Sequence, residues 1–169
     1  MKGVIRVIES TSEWAGKIGG WFCIPLILVL VYEVVARYVF DAPTIWAHES
    51  ARMLGATVVA LGWAYVHRYR EHVTIDVVYT RLSPRGQALI DVLCTLVFFF
   101  PLLVVVTWSS FDFTRVAWAG HEVLIESYWY PPSGPIRMVV TLGLCLFMLQ
   151  GIANFVRDLH LLIRNKPYD

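Results

Sequence analysis

Residues 92–111 run for twenty positions without a charge, between Asp91 and Asp112. A helix rises ~1.5 Å per residue, so this run matches the ~30 Å hydrocarbon core of a bilayer. A chain of 169 residues has little core volume with which to wrap such a segment on every side. Composition points the same way, because 57% of the residues are hydrophobic, above the roughly 45–50% of an ordinary soluble domain. An all-α integral membrane protein is therefore expected. Pro101 lies at the centre of the run, where its missing donor predicts a kink or a gap in the hydrogen-bond ladder.

Three more apolar segments complete a single membrane domain of four transmembrane helices, expected at about 17–40, 46–66, 88–112 and 136–157. Lys2, Arg6 and Lys17 precede the first as they would a secretory signal. No small-x-small cleavage site follows, so an uncleaved signal anchor is expected. The second span is the weakest by hydropathy, since only 53–66 is free of charge. Its Gly55 and the four-residue repeat Ala56, Ala60, Ala64 form a small-residue face. Such a face lets a partner helix, in this chain or another, approach closely in lipid. The fourth span holds Gln150 and Asn154 as its strongly polar groups, and Cys23, Cys94 and Cys145 lie in apolar runs without a CxxC.

The connections carry their own patterns. In the segment at about 70–82, Ile75, Val78, Tyr79 and Leu82 recur with helical spacing, and so do His72, Asp76 and Thr80. That describes an amphipathic arm helix, with an extended loop as the alternative because Val and Thr favour strands. Ser83 followed by Pro84 has the form of an N-cap with Pro at the first helical position. The loop at about 114–134 contains Trp118, Tyr128, Trp129 and Tyr130, suited to a membrane interface, and Pro131, Pro132 and Pro135 stiffen its exit. Of the 14 Lys and Arg residues, only Arg115 and Arg137 fall at this loop's side, while Arg37 and Arg52 lie within spans. The positive-inside rule then places both termini and the arm in the cytoplasm.

Chemical motifs are sparse. His48-Glu49-Ser50-Ala51-Arg52 follows a helical zinc-protease pattern until Arg52 replaces the second His ligand. His72 and Asp76 offer two ligands with no third, which a hydrogen-bonded pair explains equally well. There is no phosphate loop, nucleophile elbow or Rossmann glycine pattern, and no enzyme or cofactor is expected. A formal charge of +1 without a polybasic tail gives no footprint for nucleic acid. Glu33, Arg37, Glu49 and Arg52 cluster near the outer ends of the first two spans, beside Trp46. Charge in a membrane segment marks a functional site by default; here the choices are a fixed hairpin, a docking point for a partner, or an ion path in a small channel.

Taken in order, Glu33, then Arg37-Tyr38-Val39-Phe40, then Trp46, Glu49 and Gly55, then His72-Val73-x-Ile75-Asp76, followed by two spans around an aromatic, Pro-rich loop, make a set. It resembles the small membrane subunit of tripartite ATP-independent periplasmic (TRAP) transporters. The resemblance implies a four-helix companion in a bacterial or archaeal inner membrane. Its partners would be a large multi-span subunit and, transiently, a periplasmic substrate-binding protein. Transport of an organic anion, usually a carboxylate, would draw on a sodium gradient through the large subunit. On that reading the charged cluster docks a partner, Ala56, Ala60 and Ala64 face a packed helix, and His72 and Asp76 belong to a bracing arm. Residues 121–135 have no counterpart in the set. The reading from another class is a four-helix membrane anchor of a haem or quinone redox complex.

Overall fold

A computed structural model of the chain describes residues 2–69, 83–125 and 128–164. The expected arm at 70–82, with His72 and Asp76, lies outside them. Among the described residues the fold is all-helical, with one isolated bridge, Val123 to Pro132, in place of any sheet. The helices are α1 (Lys2–Trp21), α2 (Cys23–Tyr38), α3 (Ile45–Arg68), α4 (Pro84–Cys94), α5 (Phe100–Ala119) and α6 (Gly134–Arg164), with a π-turn over Thr95–Phe99. α6 touches α1, α3, α4 and α5 and is the axis of the bundle. Its 31 residues correspond to ~46 Å, more than a bilayer core, so its ends project.

The first helix starts at Lys2, well ahead of the expected boundary near residue 17. α1 and α2 are nearly continuous, broken at Phe22, whose N–H bonds the Gly19 carbonyl 3.1 Å away in a tight turn. Pro25 explains the break: it has no N–H for the Trp21 carbonyl, so the helical ladder is interrupted there. α1 is turned inside out relative to a soluble amphipathic helix. Ile5, Glu9, Ser12 and Ala15 are buried, whereas Val4, Val7, Trp14 and Trp21 are exposed.

Pro101 acts one turn earlier than its own position. The Phe100 N–H reaches back to the Thr95 carbonyl, the i→i+5 bond of a π-turn. This extra residue rotates Phe99 toward α6, where its ring stands 5.2 Å from Phe147 and 5.1 Å from the His67 ring of α3. Ser83 caps α4 as its sequence implies, its hydroxyl accepting from the Gly86 N–H at 3.3 Å.

Three segments are long and apolar enough to cross a membrane: Gly3–Tyr38, Arg85–Ala119 and Gly134–Ile163. α3, expected as a fourth, does not meet that standard. The physical reason is its position, since α1, α2 and α6 all pack on it and its inward positions are filled by Ala47, Glu49, Thr57, Ala60 and Ala64. A helix covered by other helices needs small residues more than lipid-soluble ones.

Candidate docking surfaces and the polar clamp

The α2–α3 corner is tied by Glu33. Its carboxylate accepts from the Thr44 N–H at 3.2 Å and from the Thr44 hydroxyl, and also from Arg37, whose Nη2 is 2.6 Å away. Thr44 is the N-cap of α3 but makes no side-chain cap of its own, so Glu33 supplies the acceptor that the helix start lacks. Tyr32 and Trp46 pack beside it with ring centroids 5.5 Å apart. The five residues expected to form one cluster divide between two helices. Glu33 and Arg37 pair along α2, while Glu49, 2% exposed, pairs with Arg52 along α3 at 3.3 Å. Helix spacing makes these i,i+4 and i,i+3 pairs neighbours; the cross-link between helices runs through Thr44 instead.

The small-residue face lies inside the bundle at its lower part. Ala60 and Ala64 are 1% and 0% exposed, and Gly55 and Ala56 are half-buried. Ala60 meets Gly143 of α6 so closely that a Cβ at position 143 would overlap the Ala60 carbonyl. On the α1 side, Gly16 accepts the Tyr65 ring and Gly19 lies under Leu61.

A buried polar chain, not anticipated from the sequence, joins α1, α3 and α6. The Ser12 hydroxyl donates to Gln150 Oε1 at 2.9 Å, Gln150 Nε2 donates to Asn154 Oδ1 at 3.2 Å, and Asn154 Nδ2 donates to the His67 carbonyl at 2.9 Å. Ser12 and Gln150 are fully buried. The last bond satisfies one of the carbonyls that every helix C-terminus leaves open. Flanking ion pairs complete the clamp, with Arg157 Nη2 at 2.8 Å from Glu9 and Arg68 Nη1 at 2.5 Å from Glu13. Arg68 also donates to the Glu9 carbonyl at 2.9 Å. Burial disfavours the Arg68 cation, but its hydrogen bond to Glu13 and the nearby negative charge hold the guanidinium above its ordinary pKa. The signal available in the sequence was the i,i+4 pair Gln150 and Asn154 in an apolar segment, since polar groups there need partners.

The opposite surface is bare. α2 exposes Ile24, Ile27, Leu28, Val31 and Val34, and α5 exposes Leu102, Val105, Trp108, Phe111 and Val116. Two open grooves of about 630 Å³ each flank α5. After α5 the chain folds back on itself: the Leu124 N–H bonds the Pro131 carbonyl and the Ser133 N–H bonds the Glu122 carbonyl, each at 2.9 Å. Arg137 at the start of α6 pairs with Glu122 at 2.7 Å. The described histidines are dispersed over the helices, and among the described residues no group of three or more His, Cys, Asp or Glu could hold a metal.

With this bare four-sided bundle in view, the sequence profile of the tripartite ATP-independent periplasmic transporters, DctQ component, matches residues 26–161. The chain belongs to the DctQ family. This DctQ chain is also 35% identical over 80 residues to the sialic acid TRAP transporter permease protein SiaT of Haemophilus influenzae (strain 86-028NP). The aligned part covers 47% of the DctQ chain and 12% of that relative, so the chain spans only a small part of the longer protein. The family match begins in α2, which leaves Glu9 and Ser12 of the clamp outside it while Gln150 and Asn154 lie within.

Proposed function

We propose that this DctQ chain is the small accessory membrane subunit of a sodium-driven, binding-protein-dependent TRAP importer, and that it serves as a scaffold for a large multi-span transport subunit. α3 forms a fourth crossing, and both termini face the cytoplasm of a bacterium or archaeon. The observation that carries this reading is the family match through α2 to α6 combined with the bare apolar flanks of α2 and α5. Apolar surface of that extent is covered by lipid or by another membrane protein. The relative adds support, because a segment like this one makes up a minor part of a polypeptide named a permease.

In the proposed assembly the corner built by Glu33, Arg37, Trp46, Glu49 and Arg52 docks a partner at the outer boundary. The segment with His72 and Asp76 braces the cytoplasmic side, and a periplasmic binding protein visits transiently. The cargo is an organic anion of the carboxylate class; sialic acid, named for the relative, is one member of it. Such a role asks for no catalytic group or cofactor in this chain, and sodium acts through the large subunit. Purifying the tagged chain from its native membrane in mild detergent should bring down a larger polytopic protein identifiable by mass spectrometry. Recovery of a stable lone monomer would refute the proposal.

A further inference from the structure

The two grooves beside α5 share a common head. Val105, Ser109 and Phe113 line both, forming a ridge between them, and Arg137 lines both at one end. The walls are otherwise chiefly apolar, with Val104 and Trp108 on one side and Trp63 and Val140 on the other. Two apolar channels of equal volume meeting at one cation match a diacyl phospholipid, whose two chains leave a single phosphate. Arg137 is equipped for that phosphate. Its Nη1 serves Glu122 at 2.7 Å and the Phe113 carbonyl at 3.2 Å, while Nη2 and Nε have no partner among the described residues. A guanidinium edge of two donors suits phosphate oxygens.

The headgroup is narrowed by charge. Asp112 lines the same groove as Glu122 and has no ion pair or hydrogen bond among the described residues. A carboxylate beside apolar walls at a membrane boundary favours a cation that can also donate hydrogen bonds. One arginine against two carboxylates disfavours a lipid with net negative charge. A quaternary ammonium carries charge but no donor, whereas a primary ammonium carries both. We infer that the α5 ridge is a binding site for one phosphatidylethanolamine molecule, its phosphate on Arg137 and its ammonium on Asp112.

The test is native mass spectrometry of the delipidated full chain in detergent, with equal amounts of phosphatidylethanolamine, phosphatidylcholine and phosphatidylglycerol. The expected result is one retained lipid per chain, with the ethanolamine lipid preferred over the choline lipid by about fivefold, the discrimination of one partly exposed ion pair. Asp112→Asn should erase that preference yet keep a lipid bound. Arg137→Gln should lower retention of all three. Should Arg137→Gln fold poorly, Ser109→Trp fills the ridge with the charges intact and should displace the lipid. Absence of a stoichiometric lipid, an unchanged preference in Asp112→Asn, or a lipid retained in Ser109→Trp would each overturn the inference. So would a photo-crosslinker placed at position 109 that labels a protein partner in native membranes instead of lipid. The mass measurement requires no partner subunit, so its outcome is separable from the transporter reading.

Discussion

Gly143 of α6 lies against the backbone of Ala60 in α3, where an added Cβ would stand 2.8 Å from the Ala60 carbonyl carbon and 3.0 Å from its Cβ. Only a hydrogen fits. The two longest contacts of the bundle, α3 on α6 and α1 on α3, are thus both made through small residues. Within a bilayer, where lipid competes equally for apolar side chains, close backbone approach supplies the packing that holds helices together.

Gly143→Ala should therefore lower stability by about 1–3 kcal/mol, the usual cost of overpacking, as read from thermal unfolding in detergent. Gly55 is the internal control. A Cβ there meets nothing within 4 Å, and Gly55→Ala should be neutral or slightly stabilising through helix propensity. Equal losses at both positions would mean that the α3–α6 contact is looser than described.

Gln150 holds two partners at once, accepting from Ser12 and donating to Asn154. Gln150→Leu strands both, with an expected loss of about 1–2 kcal/mol, and Ser12→Ala should cost less, about 0.6 kcal/mol, in keeping with hydrogen bonds between membrane helices. The double variant should lose less than the sum, because the two residues share one bond. Strict additivity in the unfolding data would argue against the buried chain.

At the α2–α3 corner the two members of the Glu33–Arg37 pair should behave differently. Arg37 has a side chain 51% exposed, while Glu33 is 13% exposed and also serves Thr44. Arg37→Ala is expected to leave the melting temperature close to wild type, since water and Thr44 still solvate the carboxylate. Glu33→Ala removes the acceptor at the start of α3 and should lower it. A larger effect from Arg37→Ala would show that the guanidinium, not Thr44, fixes the corner.

Features set by local rules were legible in the sequence. Ser83 before Pro84 became a cap, and the uncharged run around Pro101 became part of a long helix with an irregular turn. The clamp was not, because Ser12 and Gln150 are 138 positions apart and nothing local links them. α1 misleads for a related reason. Its exposed Val7 and Trp14 and its buried Glu9 and Ser12 invert the ordinary meaning of an amphipathic helix, so charge near the N-terminus reads as a flank and not as an inward face. At the outer corner, spacing showed which charges could pair along a helix, but the Thr44 contact depends on the turn between helices.

Pro101 and Gly151 offer the last test, because the π-turn and the glycine appear to be two halves of one fit only if they are coupled. The Phe100 N–H bonds the Thr95 carbonyl, which aims Phe99 at Gly151, and a Cβ there would collide with the Phe99 ring. Gly151→Val alone should destabilise by about 1–3 kcal/mol through that collision. Pro101→Ala restores a backbone donor and lets the ladder close as a regular helix, which turns Phe99 away from α6. In that background Gly151→Val should cost less, with a coupling on the order of 0.5–3 kcal/mol between the two sites. Independent costs in the double-variant cycle would mean that Phe99 reaches Gly151 without help from the turn, and that Pro101 shapes α5 for some other contact.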